Sequence, residues 1–154
     1  MVEFDFKGIK VEATVVTEQY DYKDASYRVR TRFDRNVMVS ANFWDFRIVN
    51  DLYDLAFVRS TLNYFMHCYW KRNSKEGHKI ELAKELHHED IYTGRKSLLF
   101  TARQKDKKHF LQICLHQGGS PVNEVYLDGQ EAIMLDIAIS KAINLLSPYN
   151  NQEV

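Results

Sequence analysis

The chain has 154 residues, with 21 lysines and arginines against 21 aspartates and glutamates, 45% hydrophobic and 13% aromatic residues. That size and composition suit one folded domain that needs no staples, and they exclude a disordered or low-complexity chain. Zero net charge argues against a binder held to nucleic acid by bulk charge.

No apolar run approaches the roughly 18 residues of a membrane helix, and the acidic start Met1-Val2-Glu3-Phe4-Asp5-Phe6 is unlike a signal peptide. The expectation is a soluble cytoplasmic protein with no membrane partner. Cys68 and Cys114 stand far apart without a Cys-x-x-Cys pair, so they read as small core residues rather than a disulfide or zinc framework.

In chain order, Ile9, Val11, Ala13 and Val15 alternate with Lys10, Glu12, Thr14 and Val16, the period of two of a half-buried strand. Residues 26–34 place Tyr27, Val29, Thr31 and Phe33 on one face and Arg28, Arg30 and Arg32 on the other. Asp34-Arg35-Asn36 reads as a tight turn into 37–44, which predicts an antiparallel hairpin. A short strand over 46–49 follows. Leu52, Leu55, Val58, Leu62, Phe65, Met66 and Tyr69 then recur at steps of three and four, predicting a helix to about Trp70 with Asn50 as its cap.

Residues 71–77 contain no apolar side chain and read as a linker. Beyond it, 79–89 is a strand candidate with competing helix propensity at 81–86. Residues 96–103 and 109–117 are clearer strands joined by 104–108, and Gly118-Gly119-Ser120-Pro121 reads as a longer loop. Asp128 and Glu131 have the spacing of a capping box. The helix after them is apolar around most of its circumference, so it should be buried on more than one side, and Pro148 should end it.

The chain thus reads as a repeat of itself. Gly8-Ile9-Lys10-Val11-Glu12-Ala13 reads like Gly77-His78-Lys79-Ile80-Glu81-Leu82, and Phe46-Arg47-Ile48-Val49-Asn50-Asp51 stands before the first helix as Glu124-Val125-Tyr126-Leu127-Asp128-Gly129 stands before the second. The fold class predicted is α+β: two β-β-β-β-α half-repeats about a pseudo-twofold axis, antiparallel sheets with a helix after each. The halves span about 1–70 and 77–148 of a single domain, with a flexible tail over 149–154. A spacing this long fits a duplication rather than a solenoid.

With Arg95-Lys96-Ser97-Leu98-Leu99-Phe100 leading a hairpin and 124–146 closing the unit, this order resembles the PUR-repeat proteins, and with them the Whirly proteins and the positive-cofactor type of coactivator. The resemblance implies binding of single-stranded DNA or RNA on curved sheets by basic and aromatic side chains, in a homodimer or higher homo-oligomer. The neutral net charge departs from the more basic members.

Read from the residues themselves, Arg28, Arg30 and Arg32 with Arg35 at the turn make a guanidinium stripe at roughly 6.6 to 7 Å per step, near a phosphate spacing. The same pattern also suits a solvent-facing strand whose arginines pair with acids on a neighbour. Arg103, Lys105, Lys107, Lys108 and His109 cluster at a hairpin tip, a pattern that solubility alone explains as well. Among Tyr20, Tyr22, Tyr27, Phe33, Phe43, Trp44 and Phe46, most should be core, with Tyr27 and Trp44 the stacking candidates.

Catalysis finds less support. His87-His88-Glu89-Asp90 would point adjacent histidines to opposite faces of a strand, His67 reads as a packed or interfacial histidine, and phosphate-loop, nucleophile-elbow and zinc-protease motifs are absent from the sequence. No enzyme activity, cofactor or metal is expected. Two other readings stay open: a protein-interaction module that uses the apolar second helix, and a small-nucleotide binder with a pocket between the halves.

Overall fold

A computed structural model of the chain describes residues 1–74, 83–90, 94–106 and 108–147, without side-chain detail for 68–74, 83–84, 87–90, 94 and 104–105. The order is β1 (Val2–Phe6), β2 (Ile9–Lys23), β3 (Val29–Phe43), β4 (Phe46–Val49), α1 (Leu52–Ser74), β5 (Ala83–Asp90), β6 (Gly94–Lys105), β7 (Lys108–Gln117), β8 (Ser120–Leu127) and α2 (Gly129–Leu146). Two antiparallel four-stranded sheets, β1-β2-β3-β4 and β5-β6-β7-β8, are each followed by a helix. The predicted α+β arrangement of two halves stands at this level.

The sheets are meanders closed by tight turns. Lys7 (φ 45) and Gly8 (φ 95) join Phe6 to Ile9, and Gly118 (φ 59) and Gly119 (φ 84) join Gln117 to Ser120. Positive φ at both central residues is the hairpin geometry whose twist matches paired strands. Ser120 and Pro121 therefore belong to β8, not to the longer loop expected there.

The first half departs from its predicted hairpin. Residues 34–36 do not turn: β3 runs unbroken, with Glu18 opposite Asp34, Thr17 opposite Arg35 and Val16 opposite Asn36. The reversal falls at 24–28 instead, organised by Asp24. Its Oδ1 accepts from the backbone N–H of Ser26 (2.8 Å) and Arg28 (3.1 Å), while its carbonyl accepts from Tyr27 N (3.0 Å). An aspartate that satisfies its own turn outcompetes a mid-strand Asp-Arg-Asn with nothing to hold it. The fourth strand is supplied by β1, absent from the predicted set.

Asn50 likewise has a different role. It sits at φ 50, accepts from Val39 N at 2.8 Å and donates its own N–H to Val39 O at 2.9 Å, extending the β4 side of β3 by one residue. Asp51 caps α1, accepting from Tyr53 N (3.0 Å) and Asp54 N (3.1 Å). The α1 helix continues to Ser74, past the predicted end near Trp70. The Asp128–Glu131 capping box forms as predicted.

The core is one cluster with members from both sheets and both helices. The α2 helix packs chiefly on β2 and β3 of the other half, and on α1, with less contact to β7 and β8. On α1, Phe57 meets Phe100 of β6 edge-on at 6.3 Å, and Phe100 meets Phe43 of β3 at 6.2 Å. Crossing over buries Leu135, Ala138, Ile139 and Ala142 as one stripe, while Met134 and Ile137 stay 60% and 51% exposed, so α2 is not buried on more than one side as its apolar circumference led one to expect.

The repeat as read from sequence is out of step. Gly8–Ala13 opens the second strand of its sheet, whereas its proposed copy, 77–82, lies outside the described residues and ahead of β5, the first strand of the other sheet. The competition between strand and helix at 81–86 falls to strand from Ala83 onward.

Candidate nucleic-acid interface

The β2–β3 pair outruns its neighbours. Among the described residues, Met1 and β1 pair with β2 only up to Ala13, and β4 covers β3 only from Ser40 to Phe43. Residues 14–23 and 29–38 therefore form a two-stranded arm beyond the sheet. Its side chains alternate between two faces because the pairing has no bulge.

One face presents Tyr20, Tyr22, Arg30 and Arg32, with Tyr22 opposite Arg30 and Tyr20 opposite Arg32. All four are exposed, and the Arg32 guanidinium lies 5.8 Å from the Tyr20 ring centroid, within cation–π range. Each arginine also holds an acid: Arg30 Nε donates to Asp24 Oδ2 at 3.0 Å and Arg32 Nε to Asp34 Oδ1 at 3.0 Å. The Arg30 guanidinium, then the Arg28 and Ser26 amides, hold the Asp24 carboxyl below its ordinary value. Loss of hydration first, then neighbouring Asp34, pushes the Tyr20 phenol up. Such exposed pairs contribute only about 0 to 1 kcal/mol, so a phosphate can displace the carboxylate.

The predicted stripe is broken up by this register. Arg28 lies in the turn, not the strand. Arg35 falls on the opposite face, with Val29, Thr31, Phe33 and Val37, because 29–43 alternates without the turn that would have brought it round. Tyr27, at φ 59, caps the turn and is 85% exposed.

Trp44 is not an open stacking ring. It is half-buried at the β3–β4 turn, packs against the core, and donates its backbone N–H to Gly8 O at 2.9 Å. Its indole occupies the space a Cβ on Gly8 would need. Sequence reasoning instead passed over Tyr20 and Tyr22. Phe43 and Phe46 are buried, but Tyr20, Tyr22, Tyr27 and Phe33 are exposed, so most of the aromatic set lies outside the core. The arm reaches past the helices that would have covered it.

The second predicted patch is looser. Lys107 lies outside the described residues, as does the side chain of Lys105. Lys108 is exposed, Arg103 donates to Gln112 Oε1 at 2.9 Å, and Gln112 bonds onward to Glu124 Oε2 at 3.0 Å. His109 is buried rather than part of a basic tip, since it shares the inward face of β7 with Leu111 and Ile113.

His67 is exposed on α1 rather than packed. Cys114 is a buried free thiol, and burial, then Glu124, raise its pKa, which keeps it protonated and unreactive. Cys68, His87, His88, Glu89 and Asp90 have side chains outside the described set. Among the described residues no helix is long and apolar enough to cross a membrane.

No family model matches the chain, and the curated proteins give no match. Among solved structures it is similar to WHY1 from Arabidopsis thaliana, at 12% identity and a TM-score of 0.41 over 94% of this chain and 84% of that one. A likeness at that level carries no argument about what this chain binds.

Proposed function

We propose that the chain is a single non-catalytic domain of two half-repeats that binds single-stranded DNA or RNA in the cytoplasm, with the tyrosine–arginine face of the β2–β3 arm as its principal surface. The observation that carries this reading is the placement of Tyr20, Tyr22, Arg30 and Arg32 together on one exposed face. Rings offer base stacking without regard to sequence, at about 1 to 3 kcal/mol per base. The arginines exchange their weakly held carboxylates for phosphates. Tyr27 and Arg28 extend the surface around the turn, and Arg103 and Lys108 supply a second, weaker phosphate contact.

Stacking rather than bulk charge is the main term, which is consistent with the zero net charge. The test is fluorescence anisotropy of labelled single-stranded oligomers at low and physiological salt. Tyr20→Ala and Tyr22→Ala should each weaken binding by about fivefold or more. Arg30→Gln and Arg32→Gln should each flatten the salt dependence by roughly 0.7 in log–log slope. Absence of binding at low salt, or four variants that bind as the parent does, defeats the proposal.

A further inference from the structure

Away from the arm, the side of α2 that turns from the core runs along the rim of the first sheet. The helix is antiparallel to β1: Lys141 Nζ donates to Glu3 Oε2 at 3.2 Å at one end, and the charge of Lys7 acts on Glu131 at the other. Between them lies a groove of about 240 Å³, walled by Val2 to Phe6 on one side and by Glu131 and Met134 on the other. Phe4 and Phe6 meet edge-on in its strand wall, with ring centroids 6.4 Å apart. Met134 and, one turn on, Ile137 are both more than half exposed. Among the described residues β1 is the outermost strand, so the sheet stops one strand short of covering these two side chains.

The rim offers backbone as well. Met1 and Ala13 exchange both of their backbone hydrogen bonds, so alternation along β2 turns Val11 and Ile9 toward β1 too, onto their partners Phe4 and Phe6. Asp5, between those two, presents its N–H and C=O to the outer side. Three carboxylates line the groove, Glu3, Asp5 and Glu131, and no base joins them. The neighbouring cations are engaged: Lys141 with Glu3, Lys10 with Glu12 at 2.7 Å, and Lys7 over the Phe6 ring at 5.3 Å. Glu131 Oε1 serves the capping box, while Oε2 is buried with no hydrogen-bond partner. An apolar groove whose buried acceptor lacks a donor is complementary to an apolar side chain beside a cation.

We propose that this groove takes an extended segment of another protein, which adds to β1 at Asp5, sets an apolar side chain against Phe4, Phe6 and Met134, and gives a lysine or arginine to Glu131. Side chains on one face of a strand recur at about 7 Å, two residues apart. The midpoint of Met134 and Ile137 also lies about 7 Å from Glu131 along the helix. The recognised pattern is therefore an apolar and a basic residue two positions apart, held by strand addition at the sheet edge. A second copy of the chain is a poor occupant, because β1 set against β1 about Asp5 opposes the two aspartates.

The experiment pans a phage-displayed library of random decapeptides on the full chain and measures the enriched peptides, labelled, by fluorescence anisotropy. Enriched sequences should carry an aliphatic or aromatic residue two positions from a lysine or arginine. Met134→Lys, at an exposed position, should weaken them by about tenfold or more. Glu131→Gln preserves the capping box and should weaken a basic peptide by about tenfold, yet leave unchanged the same peptide with its cation replaced by methionine. Circular dichroism checks that each variant is folded.

A library that yields no enriched peptide, enriched peptides without that pair of residues, or binding indifferent to either substitution overturns the proposal. So does a parent dimer in sedimentation equilibrium that Met134→Lys dissociates, which would give the groove to a second copy. Oligonucleotide anisotropy on the Met134→Lys variant should match the parent, since the arm is untouched, and it reads nucleic-acid binding separately, so either proposal can fail without the other.

Discussion

Replacing Gly8 by alanine tests whether Trp44 is a structural plug. Gly8 sits at φ 95, where a side chain costs about 1 to 3 kcal/mol of backbone strain. Its new Cβ would run into the indole Nε1 and Cδ1, with Cε2 at 3.1 Å. The ring must then leave its rotamer, at about 0.5 to 1.5 kcal/mol, or leave its seat and lose packing against the core. The total is about 2 to 4 kcal/mol, a large part of the 5 to 15 kcal/mol typical of a domain.

Gly119→Ala is the matched control. Its φ is 84 but nothing lies within 4 Å of its Cβ, so it carries the strain without the collision. Urea unfolding by circular dichroism gives both values. With Trp70→Phe as background, Trp44 emission should red-shift in Gly8→Ala and stay unchanged when an oligonucleotide binds the parent. A Gly8→Ala cost no greater than that of Gly119→Ala, or Trp44 emission quenched by oligonucleotide, would refute the assignment of the indole to packing.

Asn50→Ala removes the acceptor for Val39 N and places alanine at positive φ, so it should cost about 1 to 3 kcal/mol in urea unfolding, and Asp51→Ala about 0.5 to 2 kcal/mol through loss of the α1 cap. If Asn50 were the cap instead, only its substitution would matter. Asp136 on α2 has a buried Oδ1 with no hydrogen-bond partner, and burial, opposed by Arg59, raises its pKa. The folded state therefore holds this proton more tightly than the unfolded chain, and stability is lost as pH rises from the unfolded value, about 3.9, through the raised one. Asp136→Asn should raise the melting temperature at pH 7 and lose that advantage by about pH 3. An unchanged or lower melting temperature at pH 7 would count against the buried-charge account.

Much of the fold was legible where local signals agree. The i, i+3, i+4 pattern placed Leu55, Val58, Leu62 and Phe65 in the core, and Asp128-x-x-Glu131 marked the start of α2. The misplaced turn shows where such signals mislead. Asp34-Arg35-Asn36 has turn composition, yet composition cannot say that β2 will pair with it throughout, and Asp24 with Ser26 and Arg28 satisfies its own backbone ten residues earlier. β1 was readable in Val-Glu-Phe-Asp-Phe before Lys7-Gly8, a period of two ending in a hairpin pair. The candidate site was less legible, because exposure depends on how far the strands outrun the helices. Nothing local to Tyr20 or Phe33 distinguishes them from Phe43.

The length of β2 and β3 is the property from which the proposed interface grows. A four-stranded sheet needs pairing only as far as Ala13 and Val39, where β1 and Asn50 stop. The chain nevertheless continues both strands by ten residues each, in register to Lys23 and Val29, and closes them with an aspartate-centred turn. Those residues add almost nothing to the core and carry the ordering cost of about 1 to 2 kcal/mol each for their backbone. Sheet hydrogen bonds offset part of that cost, but exposed valines and a phenylalanine on one face gain little from water. An arm that projects apolar side chains, rings and guanidinia on two faces becomes well buried only when something covers it. Nucleic acid on the tyrosine–arginine face would cover one side of the arm, and ring and guanidinium contacts would then offset the ordering cost that these residues carry unbound.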